Sequence, residues 1–500
     1  MGMNIRKKKK PAGIYLRLKS WQRKTLGAGA KIIRACTSID RKEIIRSCRN
    51  MNAAAKRKLA AAFALAVMAI AAASYWTGKS TEKAFRESME EMAQYGATVT
   101  VLDYQRGIFG ATAHTEWVLA RSEQEPLILS FSHNIWHGPL LTLPSTASIR
   151  SELMPSATLT ALFADILGGD PFGNKIPLAV KSTFGWFGGN HTRIVSPKFK
   201  ATTRKGQTQL SWGGLDARIA MNSDRSKIET KIVMGGLSMT EDNEDQFQMG
   251  RATFKSNTAK IGGHALIFAG TSSLALNNLS FHGTDKETGA ARAYAFENVH
   301  SKANTTFKDG GLDIKIRFDA NTLVMGEASE AIVKPGATFL YENIDARALE
   351  VILGAALGQN EQSTAHALEE QADVLMRRKP ALSITEASAN CPEGMAVGSF
   401  RLAYTGDGDL DQFELSDLAA ALKLNLPIAL ITRLLEEQSA QGQAEKTNKQ
   451  VTTINSMIDR GAMTGEDGVL SVDASLENGS LIMNDQQEPL ETLQELLEFF

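Results

Sequence analysis

Thr98-Val99-Thr100-Val101-Leu102 decides the fold. It is rich in β-branched residues and follows Gly96, a residue suited to the position just past a helix end. Before it, residues 77–94 are polar, with Ala84, Phe85, Met89 and Met92 as a sparse apolar face, which predicts a helix that acts as a stalk or docks on the sheet. After it, apolar residues recur every second position in 111–120, 127–133, 146–153 and 178–184. The same rhythm, punctuated by turn residues, continues through 210–221, 227–233, 250–256, 274–282, 294–299 and 312–319. Such a succession predicts a long antiparallel meander, and 157–166 is its best helical pattern. Regular strand–helix alternation is absent, which argues against a doubly wound nucleotide fold.

The last third is mixed. Asp345 is placed to cap a helix over 346–357, and 364–378 is amphipathic until Pro380 stops it. Residues 380–386, 398–404 and 421–426 read as strands, with Pro427 opening a helix to about residue 437. A helix over 448–460 precedes strands 468–476 and 480–484 around Asn478-Gly479, a strong hairpin signal. Residues 489–500 read as a final amphipathic helix.

Upstream lies LAAAFALAVMAIAAASYW, from Leu59 to Trp76, eighteen residues without charge, Pro or Gly. As a helix it spans roughly 27 Å, against about 30 Å for a bilayer's hydrocarbon core. Lys56, Arg57 and Lys58 precede it, and Tyr75 and Trp76 close it. The chain's net charge of zero hides a division. Residues 1–58 carry 18 Lys and Arg against Asp40 and Glu43, and the remainder has 37 basic and 53 acidic residues. The basic flank predicts a cytoplasmic N-terminal side and an acidic bulk exported to the far side of a membrane. That acidic bulk argues against a nucleic-acid partner. A retained anchor fits the apolar length better than a cleaved signal, for which Ala71-Ala72-Ala73 offers a site. For residues 1–50 two readings stand: upstream sequence before a true start at Met51, or a basic tail touching anionic lipid or nucleic acid. Cys36 and Cys48 precede the anchor, and Cys391 is alone in the exported part, so no internal disulfide is expected there.

The expected class is therefore α+β: one N-terminal transmembrane helix, then an elongated, mainly antiparallel β domain with helices on one face or end. The expected divisions are a basic segment 1–58, an anchor 59–76, a stalk 77–96, a β-rich region 97–340 and a mixed region 341–500.

Several local motifs occur together: Tyr75-Trp76-Thr77-Gly78-Lys79, Tyr104-Gln105-Arg106-Gly107-Ile108-Phe109, and Ile135-Trp136-His137-Gly138-Pro139-Leu140. They are followed by Asn343-Ile344-Asp345-Ala346, Leu424-Asn425-Leu426-Pro427 and Gly479-Ser480-Leu481-Ile482-Met483-Asn484. In this order the chain, over roughly residues 59–500, resembles the YdgA-like family of bacterial envelope proteins, a family of unknown function. The resemblance implies an inner-membrane anchor and a large periplasmic domain, and it supplies no catalytic residues. Asn484-Asp485 stands where that family carries a short Gly-containing turn.

No motif carries chemistry plainly. His137, between Trp136 and Gly138-Pro139, invites a metal or base role, with His133 four residues upstream. HNIWH is not the helical zinc pattern, and a loop whose His satisfies a backbone group explains it more simply. Asp407, Asp409 and Asp411 alternate as in calcium loops, but Gln412 and Leu418 stand where Gly and Glu are needed. Gly185–Gly189, GWFGG, lacks the Lys-Ser/Thr of a phosphate loop and reads as a turn carrying Trp186 and Phe187, packed on the sheet or touching membrane or partner. No serine-nucleophile signature and no metal framework is present, so no catalytic residue, metal or cofactor is expected.

Two function classes remain. One is a non-catalytic envelope protein that binds an apolar ligand or another envelope protein, with Trp136, His137, Trp186 and Phe187 as candidate binding residues. Leu127, Leu129 and Phe131, and Leu422, Leu424 and Leu426, are candidate groove walls or else sealed core. The other is a periplasmic enzyme with a dispersed site, where carboxylates or a His and a carboxylate converge in a cleft. A homodimer with a structural role is a third possibility.

Overall fold

The computed structural model describes residues 53–91, 97–121, 124–138, 145–161, 178–186, 188–202, 208–241, 245–284, 291–325, 331–357, 361–408, 413–438, 444–490 and 492. The chain divides into two units, Met1–Ala72 and Ala73–Phe500. Met51, Cys36 and Cys48 lie outside the described residues. Helix α1 (Ala53–Glu91) runs through the apolar stretch and on through most of the expected stalk. Among the described residues no helix is long and apolar enough to cross a membrane. The side chains of residues 53–67, 69 and 70 fall outside that description.

Everything else is organised by one antiparallel sheet, 25-stranded among the described residues. The expected meander forms its spine. Strands β1 (Ala97–Arg106), β2 (Gly110–Arg121), β3 (Gln124–His137), β4 (Ser145–Met154), β5 (Ala179–Gly185) and β6 (Asn190–Ser196) pair in succession. The path continues through β7 (Leu215–Met221), β8 (Lys227–Met234), β9 (Ala252–Lys260), β10 (Phe268–Thr284), β11 (Ala291–Lys308) and β12 (Gly311–Asp319). It closes with β13 (Ile332–Asp345), β14 (Ala381–Cys391), β15 (Gly394–Tyr404), β16 (Leu418–Pro427), β17 (Val469–Glu477) and β18 (Ser480–Met483). A side ladder of Phe199–Thr202, Thr208–Trp212, Leu237–Glu241 and Asp245–Met249 rejoins the spine at β10. Short loops between neighbours keep most of these pairings local in sequence, which favours a meander over crossovers.

Some expectations need correction. Residues 210–221 are two strands, broken at Gly213-Gly214. There the backbone crosses Gly235-Gly236, with Gly213 N donating to Gly236 O and Gly235 N to Gly214 O, both at 2.8 Å. A Cβ on Gly213 or Gly235 would overlap the opposing backbone, so only glycine permits the crossing. Pro427 ends β16, paired with Val469, and helix α4 (Ile428–Gln438) begins one residue later. Ala84 is exposed, and the buried stripe of α1 is Ser74, Gly78 and Phe85, at the spacing of one helix face. Of 157–166, residues 157–161 are helical and the rest lie outside the described residues, as do 493–500.

The C-terminal core seats α4 and α5 (Ala444–Asp459) through Ile431, Leu435 and Met457 on Leu470, Val472, Ala474, Leu476 and Met483. Its hairpin turns at Asn478 and Gly479, with φ of 50° and 75° as the expected turn requires. Helices α2 (Ala346–Leu357) and α3 (Glu361–Met376) pack together after β13. Asp345 caps α2 as expected, accepting from the amides of Arg347 and Ala348 at 2.9 Å, while its second oxygen takes Arg378 Nε at 3.0 Å. Asp345→Ala is expected to lower stability by about 1–2 kcal/mol, mainly through lost capping. Asp345→Asn keeps the cap and loses only the charge on Arg378, so its denaturation midpoint should fall between the two. Equal midpoints for Ala and wild type would refute the cap's role.

Candidate functional site

The sequence-selected histidines meet where α1 lies on β1–β4. Phe85 is 4% exposed and packs with Ala111, Ala113, Ile135 and Ile149, with Met89, Val101, Tyr104 and Phe184 around them. Alternation along β3 turns His133, Ile135 and His137 toward this layer and Trp136 away. His137 is wholly buried against the helix, and a Cβ on Gly78 would come within 2.5 Å of its ring. Gly138 faces Ser74 in the same way, with φ of 103° and 2.5 Å from a built Cβ to Ser74 Oγ. Two glycines and a serine thus let the helix approach the strand end closely.

This seam holds polar groups without described hydrogen-bond partners: Ser74 Oγ, Tyr104 Oη and both ring nitrogens of His137. Burial pushes the His137 pKa below its ordinary value, while the Gly110 and Ser74 backbone oppose that shift without bonds of normal geometry. Burial, aided by Glu82, pushes the Tyr104 phenol up to about 12. His133 is wired differently. Its Nε2 meets Thr115 Oγ1 at 2.8 Å and its Nδ1 meets Ser151 Oγ at 2.7 Å, and Trp117 Nε1 donates to Thr115 at 3.0 Å. Phe85 stands edge-on to it, 5.2 Å between ring centres. Burial, with His114 nearby, lowers its pKa to about 4. At the rim, Arg106 binds Glu82 at 3.1 Å and lies over the Tyr75 ring at 5.1 Å.

A general base must reach its substrate's proton. Both rings are sealed, His133 at 3% exposure and His137 at 0%. Four residues apart on one strand, they sit about 13 Å from each other, too far to share a metal ion. The seam therefore fixes the helix to the sheet and holds two neutral imidazoles there.

Trp136 is 41% exposed and lines a cleft of about 580 Å³ with Phe109, Arg106 and Asn134. Trp186 is 49% exposed, in a turn closed by Gly185 N donating to Gly189 O at 2.7 Å. Phe187 lies outside the described residues, as do Asp409 and Asp411. Among the described residues no cluster of three or more His, Cys, Asp or Glu is disposed to hold a metal. Cys391 is half-buried, and burial together with Glu393 raises its thiol pKa. The expected groove walls are core: Leu127, Leu129 and Phe131 pack on Leu153 and Leu159, and Leu422, Leu424 and Leu426 on the C-terminal cluster.

Sequence reading missed the row that register builds across the middle of the sheet. Val180 lies opposite Ile194, Ile194 opposite Ala217, Ala217 opposite Ile232, Ile232 opposite Phe254, and Phe254 opposite Leu274. Leu215, Met234, Ala252, Leu276 and Val299 form a second row two residues along, on the same face. Apart from Ala217 and Val299, these side chains are only partly buried or exposed, and Leu274 is 39% exposed. None of them belongs to the four buried clusters. Alternation within each strand was visible in the sequence, but alignment of one strand's apolar set with the next is a property of pairing.

No curated protein matches the chain. Residues 56–491 match the family described as a bacterial protein of unknown function, DUF945, and over that span the chain belongs to this family.

Proposed function

We propose that the protein is a membrane-anchored, periplasmic binding component of the bacterial envelope, and that its ligand is apolar. The observation that carries this reading is the pair of aligned apolar rows from β5 to β11, whose members other than Ala217 and Val299 are at least partly accessible. A continuous apolar band on one face binds chain-like apolar molecules by burial, at about 25 cal/mol per Å² removed from water. The anchor rests on Leu59–Trp76, which lies within one helix behind Lys56, Arg57 and Lys58. The resemblance to the YdgA-like envelope family supports the same placement.

The test uses the full chain in cells, with a photocrosslinking amino acid at position 232 or 254, and at 231 or 255 on the opposite face. Lipid-mass adducts at 232 and 254 alone are the expected result. Adducts equal on both faces, or none at 232 and 254, would overturn the apolar-ligand reading. Protein-sized adducts confined to 232 and 254 would assign the face to a partner protein instead. The anchor is tested separately: the full chain should remain in the membrane pellet through an alkaline wash, and its release would sink that part.

A further inference from the structure

The face opposite the apolar rows carries a line of cations. Arg150 pairs with Lys181 across β4 and β5, Lys181 with Arg193, and Arg193 with Arg218. Arg218 then pairs with Lys231, and Lys231 with Lys255. Six adjacent strands thus place six basic side chains in one row, all exposed. Past Ser273, the row resumes with Lys302 opposite Arg317. Five of these cations line a cleft of about 590 Å³, with Thr183, His191 and Asn257 as polar neighbours and Glu229 as its one carboxylate among the described residues.

Like charges directly opposite one another destabilise a sheet, so the row carries an internal repulsion. Nearby carboxylates relieve only part of it. Asp216 accepts Arg193 Nη2 at 2.9 Å and Arg218 Nη2 at 3.2 Å, and these bonds hold its carboxyl down at about 2. Glu152 takes Arg150 at 2.8 Å, and Glu229 takes Lys227 at 3.2 Å. Lys181, Lys231 and Lys255 have no ion-pair partner among the described residues. Strands stand about 4.8 Å apart, so the charges recur at about the length of one sugar unit and the first six span about 24 Å.

We propose that this row is a binding track for a linear acidic polysaccharide, with one anionic group per sugar facing one cation per strand. Three observations select that partner. The charges form a line, which suits a chain. The line runs through a cleft, which an extended polymer enters and a planar bilayer does not. Of the cleft's side chains only His191 is aromatic, so it lacks the stacking platform that single-stranded nucleic acid uses. Asp216 fixes two guanidinium groups in place, and Thr183 and Asn257 offer hydrogen bonds to sugar hydroxyls.

The experiment titrates the purified full chain, in nanodiscs of uncharged lipid, with a fluorescent oligogalacturonide as long as the row. Binding that weakens steeply with salt is expected. The variant Lys181→Gln, Lys231→Gln, Lys255→Gln should bind at least tenfold more weakly. Because it removes like-charge repulsion, its Tm should not fall, which guards against loss of folding. A second variant, Lys198→Gln, Lys200→Gln, Lys260→Gln, removes the same charge off the row and should bind as wild type. Equal losses in both variants, or no binding by the wild type, would overturn the track. Tighter, row-dependent binding of an oligo-dT strand or of anionic vesicles would overturn the polysaccharide assignment in favour of that partner.

Discussion

Phe85→Ala is expected to cost about 3–5 kcal/mol, the range for truncating a buried aromatic, and to lift residues 74–89 from the sheet. Phe85 is the one fully buried large apolar side chain of the described part of α1. Its ring closes over His133 and Tyr104, at 5.2 and 5.8 Å between centres, and bridges Ala113 and Ile135 beneath. The alternative anchors are weak. The Glu82–Arg106 pair is partly solvated, and such pairs contribute about 0–1 kcal/mol. Ser74 Oγ and the ring nitrogens of His137 have no hydrogen-bond partner among the described residues. Hydrogen exchange on the full chain is the measurement: amides 77–89 should lose protection while those of β17 and β18 keep theirs. Retained protection across 77–89 would show that Phe85 does not hold the helix. Gly78→Val tests the same seam by overpacking, at about 1–3 kcal/mol. Combined with His137→Ala it should cost less than the sum, because the smaller side chain vacates the contact.

The meander was legible because its determinants are local. In β2 every second side chain from Ala111 to Leu119 is apolar or small, β1 keeps that period as far as its bulge after Val101, and in β3 Leu127, Leu129, Phe131 and Ile135 share it with His133 and His137. The Asp345 cap and the Asn478-Gly479 turn were legible for the same reason, since each is set by a few neighbouring residues. Lengths were less visible. β10 runs over 17 residues, but its first half, with Thr271, Ser272 and Ser273, lacks apolar contrast. The break at Gly213 depends on Gly235, and the burial of His137 on Ser74 and Gly78, each pair brought together only by the fold. Both surface rows are products of register. Lys181, Arg193, Arg218, Lys231 and Lys255 are unremarkable one at a time and meaningful only once pairing aligns them.

That alignment gives the sheet two unlike faces on the same strands. Ile232 and Phe254 point one way, Lys231 and Lys255 the other. Because side chains alternate with period two, a one-residue slip in any of these strands would exchange the faces and place a lysine in the apolar row. The register is thus held by the same contrast that any binding by either face would exploit.

Acid should weaken the α1 seam before it affects the C-terminal core. His133 titrates near 4 in the folded chain against an ordinary 6.5, because burial disfavours its charged form. With the folded pKa depressed, the unfolded chain binds the extra proton first. Stability is therefore full above pH 6.5, falls as pH drops through the window from 6.5 to about 4, and loses nothing more from this residue below that. Between pH 8 and pH 5 the loss amounts to about 2 kcal/mol from the shift alone. His137 is lowered by burial too and adds in the same direction. The measurement is the denaturation midpoint at the two pH values for wild type and for His133→Gln, whose amide retains polar contact with Thr115 and Ser151. The variant should be less stable at pH 8 but show a smaller drop on acidification. An undiminished drop in His133→Gln would assign the acid sensitivity elsewhere. Loss of amide protection at pH 5 should begin in residues 77–89, because protonating His133 strands a charge beneath Phe85.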